Sequence, residues 1–224
     1  DYKAGDRIPT KNGKYYMVIF GMSMDRAPSV ITKATKFDKV YCVGDSRTAD
    51  TKMALGVAVP SNVEFIAKWG EGLYWFKSTG YRQLLSSVSK QPKNSKKAVI
   101  INLGVNDLNN GRAYVTYMKK VAANLKKYNC KMYYLSVNPV NSAMIKSVGG
   151  KARSEAQIAS FNRTIYKNLC SGKNKSFTYI NSCTNLQMKG WISNRHDMGI
   201  YDGLHYSNAT YLRIFDYCMR YLNR

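Results

Sequence analysis

The sequence predicts an α/β fold built on a doubly wound parallel sheet. From about Lys39 onward, short apolar runs of strand length alternate with segments of helical periodicity, the pattern of a parallel sheet with helices on both faces. The runs are rich in Val, Ile, Tyr and Phe, as strands buried on two sides should be. A chain of 224 residues with 45% hydrophobic content is long enough for one well-buried core and short for two. We therefore expect one domain over residues 38–224 and an N-terminal arm or linker over residues 1–37.

The arm does not follow the alternation. Its basic, glycine-containing start, Asp1 to Lys14, reads as a connection to something upstream, with one candidate strand from Tyr15 to Phe20. The chain opens on Asp1 and not on methionine, which suggests removal of a leader or an upstream module. Within the domain the expected strands are Lys39 to Val43, Val63 to Lys68, Ala98 to Leu103, Lys131 to Val137 and Phe177 to Ile180. A helical stretch, Thr48 to Leu55, follows the first of these. Tyr114 to Tyr128 repeats apolar residues at Tyr114, Tyr117, Met118, Val121, Ala122 and Leu125, with lysines opposite. Ser154 to Leu169 puts Ile158, Phe161, Ile165 and Leu169 on one face. The last helix runs from Asn208 to Leu222, with Ser207 as its N-cap and Tyr211, Leu212, Phe215, Cys218, Met219 and Leu222 inward.

Lys and Arg outnumber Asp and Glu by 35 to 13, a formal charge of +22. Such a surface attracts polyanions, among them an anionic cell-envelope polymer. The basic residues are scattered along the chain, so a solvated lysine-rich surface is the plainer reading and no specific nucleic-acid site is expected. No apolar run approaches the ~20 residues that span a bilayer, so no membrane insertion is expected. The five cysteines, Cys42, Cys130, Cys170, Cys183 and Cys218, form no CxxC pair and have no histidines at ligand spacing, which argues against a metal site. Cys42 and Cys218 fall in apolar patterns and read as buried thiols. Cys170 and Cys183 bracket a loop and a strand, an arrangement open to a disulfide in an exported protein.

Three segments carry chemistry. In a doubly wound sheet, ligands bind beyond the carboxyl ends of the strands. Ser46 follows the first strand of the domain across the Gly44-Asp45 turn and precedes a helix, whose free N–H groups stabilise developing negative charge. The alternative is that Asp45 or Ser46 only caps that helix. Asn106, in Gly104-Val105-Asn106-Asp107, also follows a buried strand and offers a side-chain donor for an oxyanion, unless Asn and Asp merely bond their own turn. Asp202 and His205 lie three apart before the last helix, so that a carboxylate can hold an imidazole facing a serine. The only other histidine is His196.

On these three segments, from about Lys39 to Arg224, the chain resembles the SGNH hydrolase superfamily, the GDSL-type esterases and lipases. The resemblance implies a three-layer α/β/α fold with a flavodoxin-like, doubly wound, five-stranded parallel sheet. It implies Ser46 as nucleophile, His205 as base, Asp202 as its orienting acid, and an oxyanion hole of Ser46, Asn106 and a glycine after the second strand. In Ala67-Lys68-Trp69-Gly70-Glu71-Gly72 that glycine is Gly70, with Gly72 the alternate. Arg47 stands where the usual motif has Leu, as in a bacterial Gly-Asp-Ser-Arg subgroup. It would either bind an acidic group of the substrate or turn away to pair with Asp50 or Asp107.

Trp69, Tyr74 and Trp75 cluster beside the oxyanion glycine, and Tyr201 and Tyr206 flank the histidine turn. Aromatic faces suit sugar rings, so Trp69 and Tyr206 join Arg47 as candidate substrate-binding residues, while Trp75 reads as core. The expected activity is hydrolysis of short acyl esters, above all acetyl groups on a carbohydrate, by a secreted or cell-surface enzyme that needs no cofactor. An acyltransferase with the same centre and a basic binding module without turnover are the alternatives.

Overall fold

A computed structural model of the chain describes residues 7–9, 15–17, 35–188 and 202–224. Strand β1 (Arg7–Pro9) pairs antiparallel with β2 (Tyr15–Met17) in a small sheet of their own. The expected strand Tyr15 to Phe20 thus begins at its expected residue, and its last three positions lie outside the described residues. The main sheet contains β3 (Lys39–Gly44), β4 (Val63–Ala67), β5 (Lys97–Asn102), β6 (Cys130–Leu135) and β7 (Thr178–Ile180). All its neighbouring pairs are parallel, in the order β4-β3-β5-β6-β7. The order reverses next to β3, which makes the carboxyl ends of β3 and β5 the switch point where such sheets form their sites.

Both faces of the sheet are covered, because alternate residues of each strand point to opposite sides. Val40, Cys42, Ala98, Ile100, Tyr133 and Leu135 pack on one side with residues of α1 (Ser46–Leu55) and α8 (Asn208–Leu222). Tyr41, Val43, Val99, Ile101, Met132 and Tyr134 pack on the other. There they meet α2 (Leu73–Trp75), α3 (Tyr81–Ser89), α4 (Gly111–Leu125) and α6 (Glu155–Ile165). The three layers of the expected α/β/α fold are present. Local chemistry marks the helix starts. Ser207 accepts the Thr210 N–H at the head of α8, and Ser154 with Gln157 closes a reciprocal capping box on α6.

The structure departs from expectation in three places. Four helical segments were not foreseen: α2 and α3, joined by a wider π-helical turn at Phe76–Gly80, then α5 (Ser142–Ser147) and α7 (Ser182–Met188). The helix drawn to Leu169 ends at Ile165 and continues as a π-helical turn, Tyr166–Cys170. Cys170 and Cys183 form no disulfide; all five cysteines are free, and these two are buried thiols like Cys42 and Cys218.

Candidate active site

Ser46 is positioned by its neighbours in sequence. At the end of β3, a Cβ on Gly44 would lie 2.0 Å from Thr48 Oγ1 and 2.4 Å from the Asn102 carbonyl oxygen. Only glycine lets β3 approach β5 and the first turn of α1 this closely. Asp45 then caps α1, its side chain accepting the Arg47 N–H at 3.0 Å. Asp45 is therefore the capping residue, and Ser46 becomes the first residue of the helix, where backbone N–H groups lack intrahelical partners. Burial pushes the Asp45 carboxyl up to about 6, against the pull of the Arg47 guanidinium and N–H.

The second part is a turn that closes on itself. Asp202 Oδ1 accepts the N–H groups of Leu204 and His205 at 2.7 and 2.8 Å. Its Oδ2 lies 2.5 Å from His205 Nδ1. Gly203 adopts φ +74, and a Cβ there would stand 2.4 Å from the Asn141 carbonyl oxygen, so both conformation and space demand glycine. Partial burial opposes ionisation of Asp202, but the His205 N–H, the His205 ring and the Leu204 N–H outweigh it. They hold the carboxyl below its ordinary range. With Nδ1–H given to this carboxylate, His205 Nε2 keeps a lone pair for the Ser46 hydroxyl, whose Oγ is 2.8 Å away. The structure thus brings Ser46, His205 and Asp202 into one hydrogen-bonded line. Such a line can draw the proton from a serine hydroxyl as the oxygen attacks a carbonyl.

Asn106 lies on the turn after β5. Its Nδ2 donates to the Glu71 carbonyl at 2.8 Å, and its Oδ1 accepts from Arg153 Nη2 at 2.8 Å. Because a primary amide carries two N–H groups, one remains for an oxyanion. Arg153 also donates through Nε to the Val105 carbonyl at 2.7 Å. It holds the Asn106 turn from both sides, and nothing in its own local sequence marks it for that task. Of the two glycines after β4, Gly70 (φ +72) has open space where a side chain would stand. A Cβ on Gly72 would run into the Asp107 carboxylate at 2.6 Å. Asp107 in turn accepts the Leu73 N–H and the Tyr114 hydroxyl. Gly72 is thereby a packing position, and Gly70 is the glycine with an approachable backbone.

Neither expectation for Arg47 holds. It is 3% exposed and pairs with neither Asp50, which accepts the Tyr211 hydroxyl, nor Asp107. Its guanidinium donates to the carbonyls of Asn138 (2.7 Å), Pro139 (2.9 Å) and Leu204 (3.1 and 2.8 Å). It also lies 4.7 Å from the centre of the Tyr206 ring, a cation-π contact. Tyr206 is likewise no substrate-binding residue. It is buried, and its hydroxyl donates to the same Pro139 carbonyl. The two side chains tie the nucleophile turn to the histidine turn because three loop carbonyls there have no regular secondary structure to satisfy them.

Trp69 is 55% exposed, with its ring 5.9 Å from that of His205. Tyr74 is exposed and Trp75 is core. Tyr201 and His196 lie outside the described residues. A cleft of about 500 Å³ between α6, α7 and β7 holds none of the candidate residues, so here side-chain geometry and not cavity size marks the chemistry. Among the described residues, no group of three or more His, Cys, Asp or Glu side chains is arranged to hold a metal ion, and no helix is long and apolar enough to cross a membrane.

Comparison with known proteins shows the family and the fold. The family described as GDSL-like Lipase/Acylhydrolase matches residues 40–218. No curated protein matches the chain closely enough to indicate kinship. Among solved structures, a GDSL-like lipase from Bacteroides thetaiotaomicron is 16% identical, with 85% of this chain and 90% of that one covered and a TM-score of 0.59. An acetyl xylan esterase is also 16% identical, covering 82% of this chain and 98% of its own, again with a TM-score of 0.59. At such identities the likeness is one of fold.

Proposed function

From the premise that the chain belongs to the GDSL-like lipase/acylhydrolase family, we propose that it removes short acyl groups, above all acetyl, from a carbohydrate through Ser46, His205 and Asp202. Membership makes it an esterase-type acylhydrolase. The observation that carries the finer reading is the line from Ser46 Oγ to His205 Nε2 at 2.8 Å and from His205 Nδ1 to Asp202 at 2.5 Å. His205 takes the serine proton as Ser46 Oγ attacks the ester carbonyl, and Asp202 stabilises the imidazolium that forms. The oxyanion is received by the backbone N–H groups of Ser46 and Gly70 and by the second Asn106 Nδ2 hydrogen. His205 then protonates the leaving alcohol. Water, activated by the same imidazole, attacks the acyl-enzyme and releases the acid.

The substrate class is supported by two observations. The exposed face of Trp69 beside His205 offers a flat apolar wall suited to a sugar ring. One protein that shares the fold is an acetyl xylan esterase. The reading carries with it a location outside the cell or at its surface.

The test is hydrolysis of p-nitrophenyl acetate, butyrate and octanoate by wild type and Ser46→Ala. We expect turnover that falls with acyl length and drops at least about a thousandfold in the variant. Turnover unaffected by the substitution overturns the nucleophile. An acyl-enzyme discharged faster by an added glycan than by water would make the enzyme a transferase.

A further inference from the structure

The basic residues are scattered in the sequence, but the topology gathers some of them. In an all-parallel sheet every strand starts at the same end, so the loops leading into β5, β6 and β7 meet at one pole of the domain. Ser46, Gly70 and Asn106 follow the opposite ends of β3, β4 and β5. The loop into β5 carries Lys90, Lys93 and Lys96. The chain into and at the start of β6 carries Lys126, Lys127 and Lys131, and the loop into β7 carries Lys173 and Lys175. All eight are exposed. No Asp or Glu occurs in residues 89–97, 126–131 or 171–177. Among the described residues Lys39, Lys68 and Arg220 form ion pairs, none of them in this group. Asp38 faces these loops and accepts the Lys96 backbone N–H, and Glu64, at the start of β4, pairs with Lys39 and accepts the Ser87 hydroxyl.

The first two of these loops are also fixed to one another. Lys97, fully buried, spends its ammonium on the carbonyls of Pro92, Ser95 and Tyr128 at 2.7, 3.0 and 3.0 Å. Asn129 Nδ2 reaches the Asn94 and Ser95 carbonyls at 3.1 and 3.2 Å. The third loop folds back as the Ser176 and Phe177 N–H groups both donate to the Leu169 carbonyl at 3.0 Å. Lys97 thus adds a ninth positive charge with only neutral partners. Like charges held on one surface repel, and here the fold supplies almost nothing to offset them.

We propose that this pole is a docking surface for a flexible cell-surface polymer bearing one phosphodiester per repeat, recognised by charge. The composition of the patch favours that partner. Its three loops contain lysines and no arginine, hence point charges that bind phosphate without the planar fork used to read a base edge; the arginine at this end of the domain, Arg224, lies over the Tyr221 ring. Its loops offer no exposed aromatic ring on which nucleic-acid bases would stack. Such docking leaves the opposite pole, with Ser46, free to work, and it rests on the esterase reading only for the location at the cell surface.

The test measures binding of fluorescently labelled poly(glycerol phosphate) by anisotropy between about 50 and 200 mM salt. It compares wild type with K93Q/K96Q/K127Q/K131Q, with a second pole variant, K90Q/K126Q/K173Q/K175Q, and with an off-pole control, K52Q/K77Q/K119Q/K146Q. A single-stranded oligonucleotide of equal charge is the competitor. At about 0.7 counterions per contact, losing four contacts should lower the slope of log affinity against log salt by about three. Each pole variant should bind at least roughly tenfold more weakly, and the control within about twofold, with melting temperature and ester turnover unchanged in all three. Equal losses in pole and control variants, or no binding by wild type, would overturn the proposal. A clear preference for the oligonucleotide would reassign the pole to nucleic acid.

Discussion

Replacing Arg47 by lysine should loosen the contact between the nucleophile and its base while keeping the charge. The guanidinium makes four hydrogen bonds to three carbonyls, those of Asn138, Pro139 and Leu204. A lysine ammonium has no planar fork and reaches one of these carbonyls with good geometry. Two carbonyls then lose their donor, each at about 1 to 3 kcal/mol for a buried polar group left unpaired. That gives a loss of about 2 to 6 kcal/mol. For a domain of this size, 1 kcal/mol moves Tm by about 2 to 4 °C, so the midpoint should fall by roughly 4 to 24 °C. Leu204 directly precedes His205, and misplacement of a catalytic group by about 1 Å costs on the order of a hundredfold in rate. We therefore expect kcat to fall ten- to a hundredfold with KM little changed. Thermal melting and p-nitrophenyl acetate kinetics on the purified variant check both. A lysine variant with wild-type Tm and kcat would refute the clamp. A raised KM confined to anionic esters, at unchanged Tm, would return Arg47 to the substrate.

Arg153→Ala should lower kcat about tenfold by freeing the Asn106 amide to turn, and Asn106→Ala should cost more. Because the arginine acts through the asparagine, the double variant should be no worse than Asn106→Ala alone; additive losses in a double-mutant cycle would sink that positioning role. Gly203→Ala meets both a positive φ and the Asn141 carbonyl, so it should cost at least about 2 kcal/mol, and a melting curve within a degree of wild type would contradict it. The Asp202 carboxyl is held below its ordinary value of 3.8, so the stability it contributes is fully present above that value and lost as pH falls through the lower folded value. The Tm gap between wild type and Asp202→Asn should be constant above about pH 5 and close below about pH 4. Asp45, raised by burial to about 6, works in the opposite direction but is common to both proteins and cancels in the gap. A gap that widens on acidification would contradict the assigned hydrogen bonds.

The strands were legible because each is a short run made mostly of apolar or aromatic residues, and the three long helices because a 3.6-residue stripe repeats several times in each. Helices α5 and α7, of 6 and 7 residues, are too short for a stripe to emerge. The stretch from Leu73 to Ser89 hides its helices behind Gly80 and a cluster of aromatics. Gly80 packs against the Trp75 indole, where a Cβ would meet ring carbons at 2.9 to 3.1 Å. Ser46, Asn106, Asp202 and His205 could be singled out because each sits where a strand ends or the last helix begins. Arg47 and Tyr206 could not be read correctly, since what captures them are backbone carbonyls. The Asn138 and Pro139 carbonyls lie 91 and 92 residues from Arg47 in the chain. The same limit hid the lysine pole, which exists only once parallel strands bring three distant loops together.

The contact between Trp69 and His205 gives the protein an optical handle. Of the chain's three tryptophans, Trp75 is buried among apolar side chains, while Trp69 stands half in solvent with the imidazole against it. Protonation of that ring sets a cation beside the indole, and a sugar or acyl group arriving at Ser46 displaces water from the same indole face. Emission from a Trp75→Phe/Trp191→Phe variant, in which Trp69 is the one indole left, would therefore track proton and ligand at the serine centre without any chromogenic ester, so that occupancy can be followed even in a protein whose nucleophile has been removed.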